Sequence, residues 1–210
     1  MPIYKIITLN TDTKVLVWKI TETFEALYGG LELNQSNCNR IECMKSDVHQ
    51  RGFLSVRKLL EAMGYSDFDL FYDENGKPHL KDGKHISITH SFGFSAIIVS
   101  NESVGIDIEL RREKIMKIAN KFIGHEFEFL DSTKIKEYIR KLTVIWGAKE
   151  AIYKMNSIKG LSFKQHINVD SFITDNKQGT ATVIMDELRK KYKFYFEEVE
   201  DFTLVYALES

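Results

Sequence analysis

Each half of the chain contains one long helical pattern followed by several short strand patterns. The first helical pattern runs from about Arg40 to Met63, where apolar residues recur every three or four positions before Gly64 ends it. The second covers Lys136–Met155. Helices followed by groups of short strands are typical of α+β folds. We therefore predict an α+β fold of two similar lobes related by a pseudo-two-fold axis, each a long helix packed on a small antiparallel sheet.

The boundary between the two lobes must be tight, because the chain has only two prolines and no Ser/Gly-rich linker. We place the N-terminal lobe at residues 1–103 and the C-terminal lobe at residues 104–210. About 43% of the residues are hydrophobic, which is enough for a core without disulfides or a structural metal. The spacing of Cys38 and Cys43 matches neither a redox pair nor a zinc site, so we expect reduced thiols.

Composition argues against several classes of protein. The chain has 29 basic and 30 acidic residues, whereas nucleic-acid binders usually carry a basic excess. It shows no basic run followed by an apolar core at its start, and no apolar stretch of the roughly eighteen residues that a membrane helix needs. We expect a cytoplasmic protein that binds neither nucleic acid nor a membrane.

The segment Val104–Leu110 alternates between apolar and other residues as a half-buried strand does. Asp107 and Glu109 then lie side by side on one face of that strand. Two neighbouring acids repel each other unless a cation lies between them, and Mg²⁺ prefers carboxylate oxygens. A solvent-exposed strand face, where paired acids are common, also explains the two acids, so the strand alone does not establish a metal site.

A second group of charged residues lies in the last turns of the second helical pattern, in the segment Trp146–Lys154. Helical spacing predicts one apolar face and, opposite it, a polar face with Lys149, Glu150 and Lys154. Glu150 could be a third metal ligand, with a lysine on each side to meet phosphate charge. The alternative is an ordinary surface pair of Glu150 with Lys154, worth about 0.3–0.5 kcal/mol.

Further candidates for phosphate binding lie in the N-terminal half. Thr89 and His90 end a predicted strand, where a histidine beside hydroxyl groups can donate hydrogen bonds to phosphate. Lys77 precedes a proline after a turn, and Arg51 and Arg57 lie on the first long helix. An arginine can hold a phosphate through two hydrogen bonds. The alternatives are a structural histidine and solvated arginines.

Taken in order, these motifs resemble the 4′-phosphopantetheinyl transferase superfamily. The resemblance spans residues 76–161 and depends on several motifs in register, since any one of them is weak. They are Gly76-Lys77-Pro78, Ser87-Ile88-Thr89-His90-Ser91, Gly105-Ile106-Asp107-Ile108-Glu109, Trp146-Gly147-Ala148-Lys149-Glu150-Ala151-Ile152-Tyr153-Lys154 and Lys159-Gly160-Leu161. The length is similar to that of the surfactin-synthetase-activating type, in which one chain forms two related α+β lobes with the active site between them.

The resemblance implies a role for each candidate. Asp107, Glu109 and Glu150 would hold Mg²⁺, with Glu150 also the candidate general base. Coenzyme A would be contacted by Lys77, Thr89, His90, Lys149 and Lys154. Thr89 stands where the family usually has serine, and it keeps the hydroxyl group. Arg51 and Arg57 fit the family pattern more loosely and remain candidates for binding phosphate.

The activity implied is Mg²⁺-dependent transfer of the 4′-phosphopantetheine group of coenzyme A to a serine of an apo acyl or peptidyl carrier protein. The other product would be 3′,5′-adenosine bisphosphate, and Lys154 would stabilise charge on the leaving phosphate. We expect an active monomer whose carrier protein docks beside the metal ligands, at residues 114–117. Two alternatives stay open: a metal-dependent phosphohydrolase, and a non-catalytic module that binds coenzyme A or a carrier protein.

Overall fold

The computed structural model describes residues 3–156 and 158–210 of the chain. The backbone divides into two units, Met1–Glu102 and Ser103–Ser210, which we call the N-terminal and C-terminal lobes. Each lobe contains one antiparallel sheet and its own helices. In the described part of the chain, no helix is both long enough and apolar enough to cross a membrane.

The N-terminal lobe is built on a six-stranded antiparallel sheet with the strand order β1-β2-β6-β5-β4-β3. Its strands are β1 (Ile3–Thr8), β2 (Lys14–Lys19), β3 (Leu70–Tyr72), β4 (Pro78–Leu80), β5 (His85–Ser91) and β6 (Phe94–Ser100). Its helices are α1 (Phe24–Tyr28), α2 (Gln35–Cys43) and α3 (Asp47–Ala62). The apolar face of α3 is buried on the sheet, where Leu54, Val56 and Leu59 pack with Leu16 and Ile97 in one core.

The single helical pattern predicted from Arg40 to Met63 is two helices, α2 and α3, in the structure. The chain leaves α2 at Met44, which has an extended backbone. The side-chain amide of Gln50 donates to the carbonyl oxygens of Ile41 and Met44, at 3.3 and 3.0 Å. A side chain of α3 thus bonds carbonyl groups at the end of α2, where Ile41 also accepts from the backbone N–H of Met44.

The C-terminal lobe is built on a five-stranded antiparallel sheet with the order β7-β11-β10-β9-β8. Its strands are β7 (Val104–Leu110), β8 (Ile167–Val169), β9 (Gln178–Met185), β10 (Leu188–Val199) and β11 (Phe202–Glu209). Its helices are α4 (Lys114–Phe122) and α5 (Ile135–Asn156), with short 3-10 helices at His125–Phe129 and Thr174–Asn176. Ile145, Ala148 and Ile152 of α5 pack with Val205 and Phe194 of the sheet in one core.

The α+β class predicted from the sequence is confirmed, since each lobe combines helices with one antiparallel sheet. Among the described residues, β1 and β2 precede the long helix α3 of the N-terminal lobe, and β7 precedes α5 of the C-terminal lobe. The pseudo-two-fold relation stays a prediction.

Candidate functional site

Strand β7 presents two acids on one face, as its alternation predicts. Asp107 pairs with Val205 and Glu109 with Thr203 across the ladder to β11. Ile106 lies on the opposite face and is fully buried. Asp107 is buried as well, and Glu109 is half-buried. A buried carboxylate is costly unless a positive charge or hydrogen-bond donors compensate it, so this face needs such partners.

Two glycines bring helix α5 against the strand that carries these acids. A Cβ atom on Gly105 would lie 1.9 Å from the carbonyl oxygen of Ala151, which no real side chain could tolerate. A Cβ atom on Gly147 would lie 2.6 Å from Val205 Cγ2. The backbones of α5 and β7 are therefore in contact at Gly105, and the backbone of α5 lies on the Val205 side chain of β11 at Gly147. This close packing brings Glu150 of α5 within electrostatic range of Asp107.

We call Asp107, Glu109 and Glu150 the acid cluster, because the charge of each affects its neighbours. Burial and the charge of Asp107 raise the pKa of Glu150 to about 7, although Lys154 opposes the shift. Burial and Asp107 also raise the pKa of Glu109, against a hydrogen bond from Trp146. Carboxyl groups with raised pKa values in a pocket are typical of functional sites.

Lys154, one turn beyond Glu150 on α5, supplies a positive charge to the acid cluster. Its Nζ donates to Asp107 Oδ1 at 2.9 Å and to the carbonyl oxygen of Ile106 at 2.8 Å. The Lys154 side chain is 29% exposed and that of Asp107 only 7% exposed. Lys154 and Arg112, which acts on Glu109, are two positive charges beside three acids, so the cluster keeps an excess of negative charge when all three acids are ionised.

The acid cluster has the right chemistry for a hard cation, since all its donors are carboxylate oxygens and its charge is not balanced. The donors are not gathered around one point, however. Within residues 3–156 and 158–210, no group of three or more histidine, cysteine or acidic side chains is placed to hold a metal ion. The acids fit Mg²⁺ by type and charge, and binding would require their side chains to converge.

The raised pKa of Glu150 leads to a prediction about stability. In the unfolded chain this group loses its proton near pH 4.5, and in the folded chain near pH 7. Between these values the folded chain binds more protons, so the contribution of Glu150 to stability falls as pH rises. In EDTA, we expect Glu150→Gln to raise the free energy of unfolding at pH 8 and to change that free energy little at pH 4.5. Urea unfolding at both values measures this, and an equal effect at both would contradict it.

Lys149 lies in the core, which differs from the polar face predicted for it. Its side chain is fully buried and pairs with the buried carboxylate of Glu126 at 2.5 Å. Its Nζ also donates to the carbonyl oxygens of Phe122 and Phe163, at 2.8 and 2.9 Å. All three donor positions of the ammonium group are thus used inside the lobe. The predicted contact of Lys149 with coenzyme A does not fit this position.

In the N-terminal lobe, His90 is exposed at the end of β5 and lies against helix α3. A Cβ atom on Gly52 of α3 would come within 3.0 Å of His90 Nδ1, so the imidazole packs directly on the helix backbone. Gly52 follows Arg51, whose Nε donates to Asp47 at 2.7 Å and whose side chain is 27% exposed. His90 and Arg51 therefore occupy neighbouring positions, whereas Thr89 is buried.

Lys77 lies in a turn that Asp73 organises. Asp73 Oδ1 accepts hydrogen bonds from the backbone N–H groups of Asn75 and Lys77, both at 2.9 Å. Its Oδ2 lies 3.1 Å from Nε2 of His79. Partial burial lowers the pKa of Lys77, and the charge of Asp73 opposes that shift. The turn is held by its own hydrogen bonds, so the position of Lys77 is well defined.

Arg57 has a structural position, which differs from the prediction that it binds phosphate. Its Nε donates to Asp67 Oδ1 at 3.0 Å, and the two side chains are 3% and 1% exposed. Its guanidinium lies over the ring of Phe53, 3.4 Å from the centroid. Asp67 also accepts from the side-chain amide of Asn37 at 2.8 Å. Arg57 therefore joins α3 to α2 and to the loop before β3, and only 3% of its side chain is exposed, where it borders a surface cavity.

Two comparisons with known proteins found matches to this chain. The model of the 4′-phosphopantetheinyl transferase superfamily matches residues 103–207, half of the chain. The chain belongs to this superfamily. The chain is also similar to a protein of Aneurinibacillus migulanus named 4′-phosphopantetheinyl transferase gsp, with 32% identity over 144 residues. The similar region is 67% of this chain and spans 58% of the length of that relative.

The family match covers some of the candidate residues and leaves others outside it. The acid cluster and Lys154 lie within residues 103–207, the part of the chain that the family model matches. The candidates of the N-terminal lobe precede that range: Arg51, Arg57, Lys77, Thr89 and His90. The family match thus covers the segment that carries the first group and does not extend to the segment that carries the second.

Sequence reasoning did not identify three residues that support these sites. Glu126 compensates the charge of Lys149, Trp146 donates a hydrogen bond to Glu109, and Asp67 holds Arg57. Glu126 could have been found from its position among apolar residues in the segment Phe122–Phe127. A charge buried there needs a partner. No spacing rule connects that acid with Lys149, since the partners are distant in sequence.

Proposed function

We propose that the chain transfers the 4′-phosphopantetheine group of coenzyme A to a serine of an apo carrier protein and releases 3′,5′-adenosine bisphosphate. The observation that carries the proposal is the acid cluster with Lys154, built by the contact of β7 and α5 inside the region matched by the family model. The activity for which the Aneurinibacillus migulanus relative is named supports it. We keep the expectation of a cytoplasmic, monomeric enzyme.

In the proposed reaction the serine Oγ attacks the β-phosphorus of coenzyme A. A new oxygen–phosphorus bond forms, and the bond from that phosphorus to the oxygen bridging to the α-phosphate breaks. Glu150 is the candidate general base and accepts the serine proton, either directly or through a water molecule. The leaving oxygen carries away the electron pair as adenosine bisphosphate, and Lys154 stabilises its charge.

Asp107, Glu109 and Glu150 would hold Mg²⁺, which when bound neutralises pyrophosphate charge and orients the phosphates for in-line transfer. In the N-terminal lobe, Lys77, Thr89, His90 and Arg51 are the proposed contacts for coenzyme A. Lys77 and Arg51 bring positive charge, and His90 and Thr89 bring hydrogen-bond donors. Lys149 and Arg57 are left out of this set because both are buried in ion pairs.

The test is incubation of the chain with coenzyme A, Mg²⁺ and an apo carrier protein, followed by mass spectrometry of the carrier. We expect a phosphopantetheine adduct on one serine, with adenosine bisphosphate formed in equal amount. Adenosine bisphosphate without the adduct would identify a phosphohydrolase. Binding of coenzyme A with no product would identify a non-catalytic module.

Replacing Lys154 by alanine is expected to lower kcat by about 10²-fold or more, because the charge that Lys154 meets grows as the pyrophosphate bond breaks. The Michaelis constant for coenzyme A should change much less. Steady-state kinetics at saturating Mg²⁺ measure both quantities. If only the Michaelis constant rises, Lys154 binds the ground state and the transition state equally.

The proposed docking surface for the carrier protein lies beside the acid cluster. A shallow cavity of about 190 Å³ there is lined by Glu109, Leu110, Arg112, Lys114, Ile115, Ile118 and Trp146. Lys114 and Lys117 of α4 are exposed, and Ile115 and Met116 are half-buried. An apolar groove with basic residues at its rim complements a carrier protein that is acidic around its serine.

Charge reversal at Lys114 and Lys117 together, as Lys114→Glu and Lys117→Glu, is expected to raise the Michaelis constant for the carrier by about tenfold at low salt. The dissociation constant for coenzyme A should not change. Lys134→Glu with Lys136→Glu is a matched control, because it reverses two exposed lysines elsewhere in the same lobe. Unchanged carrier kinetics at low salt, where such contacts are least screened, would contradict this placement.

A further inference from the structure

Lys154 donates a hydrogen bond to Asp107, one of the carboxylates that the proposed function assigns to the cation. Its Nζ lies 2.9 Å from Asp107 Oδ1 and is held there by the carbonyl oxygen of Ile106. An ammonium group and Mg²⁺ both need carboxylate oxygens, and two positive charges at one carboxylate repel each other. If both bind Asp107, each binds it more weakly than it would alone.

The pair of Asp107 and Lys154 lies where interactions between charges are strong. The Asp107 side chain is only 7% exposed, so water screens its interactions poorly. Lys154 is 29% exposed, and it reaches the carboxylate on a flexible side chain from the last turn of α5. The ammonium group can therefore leave Asp107 if another anion offers it a better position.

We propose that Lys154 competes with the divalent cation for Asp107, so that the cation binds tightly only after an anionic ligand has drawn the ammonium group away. This inference rests on the proposed function, in which the pyrophosphate of coenzyme A is that ligand. Cation and coenzyme A then strengthen each other's binding by the same factor, as linkage requires. The site would stay largely free of cation until the substrate arrives.

A purely structural role for Lys154 gives the opposite expectation. If Lys154 only held Asp107 in place, its removal would disorder a ligand and weaken cation binding. If Lys154 competes, its removal deletes a positive charge next to the site and strengthens cation binding. The sign of the change in affinity therefore separates the two roles, whereas a loss of activity would not.

The experiment is a titration of the full chain with Mn²⁺ at pH 8 without nucleotide, with the free ion measured by electron paramagnetic resonance. We expect the dissociation constant of Lys154→Met to be about tenfold lower than that of the native chain. Lys136→Met is the matched control, since it removes one positive charge from an exposed position of the same helix and should change nothing. Asp107→Asn should lose the binding, which assigns the signal to this site.

Repeating the titration with saturating coenzyme A tests the linkage. Coenzyme A should strongly increase the affinity of the native chain for Mn²⁺. It should increase the affinity of Lys154→Met by a smaller factor. A titration without protein corrects for Mn²⁺ bound by coenzyme A itself. Lys154→Gln is a second neutral variant, and circular dichroism shows which variants are folded.

An affinity for Mn²⁺ that is unchanged or weaker in both folded neutral variants would overturn the competition, while a positive transfer assay would leave the proposed function standing. Tighter binding together with a negative transfer assay would support the competition and overturn the proposed function. Absence of Mn²⁺ binding in the native chain and in both variants, with and without coenzyme A, would overturn the competition, and the transfer assay would still decide the function.

Discussion

Replacing Asp107 by alanine, or Glu109 by alanine, is expected to abolish phosphopantetheine transfer and to leave the fold intact. Both acids lie on the face of β7 that helix α5 covers, next to Glu150. If they hold Mg²⁺, each substitution removes a ligand and with it several kcal/mol of charge stabilisation in the transition state. The expected loss of kcat/KM is on the order of 10³-fold or more.

The fold should survive both substitutions because neither acid fills the apolar core of the lobe. Removing Asp107 also relieves the repulsion that raises the pKa values of Glu109 and Glu150. The measurement is transfer at saturating Mg²⁺, with far-ultraviolet circular dichroism to check folding. Glu128→Ala, an exposed acid of the same lobe, is the control and should retain full activity. Near-normal turnover in either variant would remove that residue from the metal site.

The sequence predicted best the site residues on strand β7, because their arrangement follows from a local pattern. The alternation of Val104–Leu110 fixes which side chains share a face of β7, because the period of two is a property of the strand itself. The contact of α5 with β7 is signalled only indirectly, by Gly105 and Gly147 in the motifs. A glycine in a strand or helix can indicate close packing, yet the sequence does not say what packs there.

The direction of charged side chains on the two long helices could not be predicted in the same way. A helical pattern assigns lysine and arginine to the solvent face, because a buried charge without a partner is costly. Lys149 and Arg57 are buried because Glu126 and Asp67 compensate them, and both acids come from other elements of the fold. Such pairs form only when the chain is folded, so spacing along one helix cannot reveal them.

The largest effect on stability is expected when Lys149 is replaced by methionine. Glu126 is fully buried, and its carboxylate accepts from Lys149, from Gly124 N at 2.8 Å and from Val169 N at 3.2 Å. Burial alone would raise the pKa of Glu126, but the ammonium of Lys149 and these hydrogen bonds hold it below its ordinary value. The variant leaves a buried negative charge without its cation.

Breaking a buried ion pair from one side typically costs about 3–5 kcal/mol, whereas replacing both partners by apolar groups is often close to neutral. We therefore expect Lys149→Met to lower the free energy of unfolding by roughly that amount at pH 8. Lys149→Met with Glu126→Gln should recover much of the loss, because the amide is neutral and keeps one oxygen that can accept from the backbone N–H groups of Gly124 and Val169. Urea unfolding followed by circular dichroism measures both, with Lys136→Met as the control that should change stability by less than about 0.5 kcal/mol.

The pH dependence of the loss separates charge from packing. Without Lys149, burial raises the pKa of Glu126, so the folded variant takes up a proton at a higher pH than the unfolded chain does. Stability of the variant relative to the native chain must then improve as pH falls from 8 to 5, since the folded state binds more protons there. A packing defect left by the shorter side chain would cost the same at both pH values. An equal loss at pH 5 and pH 8 would therefore contradict the charge-based explanation, even if its size were as expected.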